Sequence, residues 1–453
     1  MTLHNADREQ ATRLLCEFVA ASNPGDLPQA VRREARRAFL NILGCAIGGS
    51  RHEIVSLTKD ALRDYWGPPQ ATLLAQGEKT DILHAAYINC LSSSVDSFDD
   101  SHAEAIIHPS GPVASVLLAL SERRKTTGAE FLHAFALGIE VICRVTKAVC
   151  VAPARGGLAW VQTPIVGGLG AAAAAGRLLG LDSRRLGWAL GIAGSQASGY
   201  RGNHGTMNMP LMPAQAARSG LFGALLAERG ITSSDATLEG RYGFCEVFSE
   251  QPNVAAITDR LGESFDLLGT TYKPYPCGIV VNPTLEACLR LKERCSIVPD
   301  AVERIEVHAN PTAAAIANRR HPADPLAAQV SLQHWAAVAL AYGMATKGEL
   351  SPERIADPGV VRLRDRTEVA EAPPLAEDAA EVVVLLSSGE RLNESVDHCI
   401  GSANRPMTEA ELEGKFRGLS KGLKSDEETD RLIERCWNID DLDDMEAITR
   451  LAS

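Results

Sequence analysis

The strongest constraint on this fold is a change of hydrophobic period part-way along the chain. Up to about Leu268, apolar residues recur at helical spacing and no stretch alternates regularly as a strand does. Asp26-Leu27-Pro28 caps and opens a helix expected to run through Ile47. Val31, Ala35, Ala38, Phe39, Ile42 and Leu43 mark its apolar side. Further helices are expected over 82–91, 112–122, 128–149, 167–179, 184–198 and 213–229, separated by Gly, Pro and Asn clusters. Beyond Leu268 the pattern switches. Residues 301–308 alternate with period two, 380–386 form a β-branched run, and a Ser-Ser-Gly-Glu turn leads into 391–396. Helices are expected between these strands, over 282–293 and 326–346, and again over 408–419 and 426–437. The expected fold is mostly α. A large all-helical domain, residues 1–268 plus 404–453, is interrupted by a smaller α+β domain, residues 269–403.

At 453 residues the chain is too long for one ordinary domain, and 45% apolar with 23% charged residues is the balance of a soluble globular enzyme. The net charge of −12 provides no basic field for phosphates, so nucleic acid and anionic membrane are not expected partners. A small anionic substrate needs only a local basic pocket. The 11 cysteines form no CxxC pair, and an odd, scattered set reads as reduced thiols in the cytoplasm. The opening MTLHNADREQATRLL lacks the cationic start and apolar core of a signal peptide. The longest weakly polar stretch, 167–181, contains Arg177 and is too short to span a bilayer.

Chemistry concentrates between two apolar helices, in Val95-Asp96-Ser97-Phe98-Asp99-Asp100-Ser101-His102-Ala103-Glu104-Ala105-Ile106-Ile107-His108-Pro109-Ser110-Gly111-Pro112. Burying that many charges is costly unless they are paired or bind something. A solvated acidic loop is the plain alternative. Asp96, Asp99, Asp100 and Glu104 would suit a hard cation, but the EF-hand glycine and terminal glutamate are absent. The alternative to a metal is acid–base work, since a carboxylate and an imidazole in a partly dry pocket can be tuned toward neutral pKa and move protons. Gly168-Leu169-Gly170 imitates a dinucleotide fingerprint without a βαβ context, and Gly194 to Gly199 lacks the spacing of a nucleophile elbow.

"DSFDDSH…HPSGP" resembles the "DFDDTH…HPSG" signature of the MmgE/PrpD family. Four further segments fit in the family's order: Thr163 to Gly167, Gly205 to Leu211, Tyr272 to Cys277, and Arg405-Pro406-Met407-Thr408 leading to Lys415-Phe416. The resemblance implies a helical domain with the smaller domain as a lid, a homodimer, no cofactor, and a lyase or isomerase acting on a small carboxylate. His108 falls on the family's active-site histidine, Lys273 on its hinge lysine, and Ser101 on its threonine. Counting back from Ser101, the family's first aspartate falls on Ser97, with Asp96 one residue earlier. The segment between Ser101 and His108 is one residue longer than the pattern.

The expected catalytic set is His108, Asp100, Asp96, Ser101 and Lys273. His334, standing where the family has tyrosine, is a candidate acid. Substrate contacts are expected from Ser97, His102, Arg201, His204, Asn208, Met209, Tyr275 and Cys277. The chain also departs from the pattern. The family's "TKPLH" reads Asn208-Met209-Pro210-Leu211-Met212 here, and a histidine after the hinge lysine becomes Gly278. These changes point to a substrate with fewer carboxylates or an apolar arm, with Arg201 and His204 as compensating polar groups. The expected function is a cofactor-independent lyase, a dehydratase or decarboxylase. An epimerase, or a binding protein that has lost catalysis, is the alternative.

Overall fold

The computed structural model describes residues 10–105, 107–157 and 159–453. The stretch read for a signal peptide falls largely outside the described residues, as does Ile106 of the acidic segment. Among the described residues the chain is mostly α-helical, with a small mixed sheet in the second half.

Buried apolar side chains form two cores. The first takes in residues from Ala11 to Tyr272 and returns through Met407 to Ala452. The second is built from Cys277 to Cys399. In the first core, helices Gly128–Val149, Gln162–Leu179 and Asn208–Glu228 pack closely because small residues line their contacts. A methyl group on Gly170 would lie 2.4 Å from the Gly138 carbonyl oxygen, and one on Gly220 would lie 2.5 Å from Cβ of Ala171. Only a bare backbone permits that approach. This is the use of the Gly168/Gly170 run: it lies inside a helix and packs helices rather than cradling a phosphate.

The second core covers a four-stranded sheet ordered Thr367–Glu371, Val302–Ala309, Ala380–Leu386, Arg391–Val396. The first pair is parallel and the other two are antiparallel. Along Val302–Ala309, Val302, Ile305, Val307 and Ala309 are buried. Helix Asn282–Arg294 packs on strands Ala380–Leu386 and Arg391–Val396, and helix Leu332–Tyr342 packs against it in turn.

Several boundaries differ from expectation. The helix expected from Pro213 begins at Asn208 and carries Pro213 inside. Its small residues pack on four neighbouring helices, and that packing outweighs the lost amide. The helix expected over 326–346 is two, Pro325–Ala328 and Leu332–Tyr342, because Ser331 caps the second. Strand Thr367–Glu371 was not expected; its Thr-Glu-Val-Ala-Glu sequence is half polar, as an edge strand allows. The helical half also contains strands. Ala71–Leu73 pairs with Glu78–Thr80, and Asp100–His102 of the acidic segment pairs with Thr270–Tyr272.

Candidate active site

That last pairing builds the site. Its antiparallel register sets Asp100 opposite Tyr272 and Ser101 opposite Thr271. One step further along, Asp99 meets Lys273, and the Lys273 ammonium donates to the Asp99 carboxylate at 2.9 Å. Both side chains are almost fully buried. Strand alternation then sorts the acidic segment into two faces. Asp99 and Ser101 face His108, whose Nδ1 lies 3.9 Å from Asp99 Oδ1 and 3.0 Å from Ser101 Oγ. Asp100 and His102 turn the other way. Asp100 Oδ2 accepts from the Ser110 hydroxyl at 2.7 Å, and His102 Nε2 donates to the Asp266 carbonyl.

The tautomer of His108 follows from its partners. Nδ1 lies 2.8 Å from the Asp100 carbonyl oxygen, which can only accept, so Nδ1 carries the proton. In the neutral ring Nε2 is then the basic nitrogen, and it has no partner among the described residues. The backbone amide of His108 donates to Thr163 Oγ1 at 2.9 Å, holding the ring's main chain against the mouth of helix Gln162–Leu179. Burial, reinforced by the Lys273 charge, pulls the imidazole below its ordinary value, so it stands neutral near pH 7.

The two aspartates diverge electrostatically. For Asp99 burial acts upward, but Lys273 and then His108 outweigh it and hold the carboxyl below its ordinary range. Asp100, buried and next to the Asp99 charge, is pushed up to about 7. Lys415, from helix Glu409–Ser420, lies behind the pair. It donates to the Phe98 carbonyl (2.6 Å), the Asn41 amide oxygen (2.7 Å) and the Lys273 carbonyl (2.9 Å). These bonds fix the main chain on which Asp99 and Lys273 hang. Burial lowers Lys415 to about 8.

Asp99, His108 and Lys273 open into a cavity of about 270 Å³ between the two cores. The first core contributes Ser97, Gln162, Thr163, Arg201, His204, Met209, Pro210 and Pro213. The segment that builds the second core contributes Gly278, Ile279, Val280, Ile316, Gln329 and Val330, together with Leu326, which packs into the first core. The cavity is polar at the His108 end and largely apolar along its walls. Gln329 ties the two sides: its amide oxygen accepts from Ser97 Oγ at 2.9 Å, and its nitrogen donates to the Val95 carbonyl at 3.0 Å. Ser97 itself sits at φ 49°, a left-handed backbone that aims its hydroxyl at that contact.

Of the residues expected from sequence, His108, Lys273, Ser97, Arg201, His204 and Met209 line this cavity, and Ser101 touches it through His108. Others lie elsewhere. Asp96 pairs with Lys347 at 2.5 Å, outside the lining. Asp100 acts on the site through its carbonyl rather than its carboxyl. His334 is fully buried in the second core, with Nε2 held 2.9 Å from the Glu349 carbonyl. Cys277 donates to Asn282, Tyr275 packs against the second core, and Asn208 is exposed at its helix start. Sequence reasoning missed Asp99 as the partner of Lys273. Residues 99–102 are four polar residues with no period-two pattern, so the strand that aims Asp99 at Lys273 left no local signal. Gln329 left no local signal, since its role depends on contacts more than 200 residues away in sequence. Lys415 stood in the Lys415-Phe416 segment that fits the family's order, but its role depends on contacts more than 100 residues away.

Among the described residues no helix is long and apolar enough to cross a membrane. Residues 13–256 match the MmgE/PrpD N-terminal domain and residues 275–439 the MmgE/PrpD C-terminal domain. A cis-aconitate decarboxylase of Homo sapiens is 28% identical, over 94% of this chain and 91% of its own length. A cis-aconitate decarboxylase of Aspergillus terreus is 25% identical, over all of this chain and 98% of its own length.

Proposed function

The chain belongs to the MmgE/PrpD family, and from that premise we propose that it is a lyase that removes or delivers a proton at a carbon beside a carboxylate. The observation that carries this reading is the arrangement of His108. Its Nδ1 is pinned to a carbonyl, its basic Nε2 is unpartnered among the described residues, and a buried Lys273–Asp99 pair stands beside it. A neutral imidazole in a water-poor cavity is a suitable base. The electrons left when the C–H or C–CO₂ bond breaks pass into the neighbouring carboxylate as an enolate-like charge. Lys273 is the cation placed to hold that charge, and Asp99 keeps Lys273 charged and aimed. Ser101 Oγ sits at His108 Nδ1 and steadies the ring. Base and cation both come from the chain, so the proposal calls for no cofactor.

Decarboxylation is the first choice among lyase reactions because the curated relatives carry that name. Epimerisation needs the same proton movement without loss of a group. The replacement of a basic pair by Met209 and Met212 favours a second reading, a ligand-binding protein without turnover. We take residues 269–403 as a lid over the site; the family resemblance extends the proposal to a homodimer, and the scattered cysteines extend it to the cytoplasm.

Proton NMR in D₂O with cis-aconitate, other small di- and tricarboxylates and their monocarboxylate analogues tests this. Loss of a C–H signal beside a carboxylate, with or without a new alkene resonance, is expected, and His108→Asn should abolish it. Saturable binding of a carboxylate with no exchange or product would favour the non-catalytic reading.

A further inference from the structure

Four apolar side chains in the cavity are left over from the packing of the protein. Met209, Ile279, Ile316 and Val330 line the same cavity as Lys273 and His108. Each is half-buried, and among the described residues none of them packs into either core. They come from four separate places: the first turn of helix Asn208–Glu228, the short turn Ile279–Val281, helix Pro311–Ala317, and the second residue beyond helix Pro325–Ala328. Single apolar side chains at a surface need no explanation, but a set gathered from distant segments around one cavity does.

Among the described lining residues, charge is confined to Asp99, Lys273 and Arg201. Lys273 and Asp99 are bound to each other, and Arg201 donates to the Gln162 side-chain oxygen at 3.1 Å. A charged group laid against the four apolar side chains would shed water and find no partner on them. A hydrocarbon chain would gain by the same loss of water. The local backbone supports this arrangement. The Gly278 amide donates to the Gln329 carbonyl at 3.0 Å, which sets Gly278 beside Val330. A Cβ on Gly278 would lie 3.3 Å from Val330 Cγ1, so the bare glycine leaves Val330 its place at the cavity. The cavity, about 270 Å³, is close to the lower end of the roughly 300–1,000 Å³ usual for ligand sites, so any such chain is short.

We propose that Met209, Ile279, Ile316 and Val330 form a hydrocarbon pocket that receives an apolar arm of the substrate while the reacting carboxylate lies at Lys273 and His108. The substrate class is then a small carboxylic acid with a short alkyl or alkenyl arm, in place of a compact polycarboxylate. The carboxylate end of this assignment rests on the proton-transfer reading of the site. Met209 comes from the helical domain and the other three from the segment that builds the second core, so the arm is gripped from both sides. Binding energy from this non-reacting part of the substrate would hold the reacting carbon in place at His108. Met209 is the discriminating position. A lysine there would bring an ammonium into the space that the methionine fills with a thioether.

Titration calorimetry of the full chain with butanoate, pentanoate and hexanoate, and with adipate, tests the pocket. Each added methylene should tighten binding by about two- to fourfold. Hexanoate should bind about tenfold more tightly than adipate, which has as many carbons but a second charge to desolvate. Met209→Lys should bring that ratio to one or below, and Met209→Leu should keep it. Ile316→Asn and Val330→Asn should weaken hexanoate several-fold and leave butanoate nearly unchanged, with thermal midpoints showing each variant folded. In protein labelled at its methionine methyl groups, hexanoate should shift the Met209 resonance more than butanoate does. Affinity that does not rise with chain length, a preference of the unsubstituted protein for adipate, or a hexanoate-to-adipate ratio unmoved by Met209→Lys overturns the pocket. If His108-dependent C–H exchange persists in that case, the reaction centre stands without it. If the chain-length dependence holds and no carboxylate exchanges a proton, the pocket stands and the lyase reading falls.

Discussion

His108 and His334 are both read from sequence as proton-transfer groups, and both are held below their ordinary value by burial. Their surroundings differ in one decisive respect. His108 keeps a basic nitrogen at a cavity shared with Lys273. His334 lies in the second core against Trp335, with Nε2 on the Glu349 carbonyl and Nδ1 buried without a partner. Burial tunes an imidazole in either place, but only access to a cavity lets it reach a substrate.

The largest effect should come from the first of the pair. His108→Asn should lower kcat by roughly 10²–10⁴-fold, the usual worth of a positioned acid–base group. His334→Phe should leave kcat within a few-fold. Steady-state kinetics on the two purified variants, each shown folded by circular dichroism, decides this. Loss of turnover in a folded His334→Phe would erase the contrast.

Next comes the buried pair. Lys273→Met should abolish most activity and destabilise the fold by about 3–5 kcal/mol, since it strands the Asp99 charge. Adding Asp99→Leu should recover stability in urea titration without recovering activity. Recovery of both would mean that the pair is structural only.

The pH dependence sharpens the comparison further. Activity needs neutral His108, so its acid limb should lie below the pH at which an ordinary histidine titrates. The pH profile of kcat/KM reads this. Stability behaves differently at His334. The unfolded ring takes a proton near pH 6.5, whereas the folded ring does so only at about 4. Its contribution is therefore complete above about pH 6.5 and is lost as pH falls toward 4. His334→Phe should reduce the fall of the thermal midpoint across that window by one histidine's share, leaving the shares of His133 and His204, while His108→Asn leaves the His334 contribution in place.

The smallest effect should be at the tie between the cores. Gln329→Ala removes the bonds to Ser97 and Val95 and should cost about 1–3 kcal/mol, with a several-fold rise in KM. An unchanged KM would show that Gln329 does not set the cavity's width.

The sequence determined the helices, because their apolar periods and caps are local. Helices Gly128–Val149 and Asp426–Trp437, and strands Ala380–Leu386 and Arg391–Val396, have the expected bounds. His108 and Lys273 were legible through the motifs around them. What tertiary structure decided was which neighbours those two residues meet. Pairing of Asp100–His102 with Thr270–Tyr272 joins segments some 170 residues apart. That register chose Asp99 over Asp96 and Asp100; burial raises both adjacent aspartates, and the Lys273 and His108 charges outweigh it only at Asp99, so the two end on opposite sides of their ordinary value. Adjacent carboxylates look alike in a sequence. They separate only when a strand's alternation turns one toward an ammonium and the other into the core.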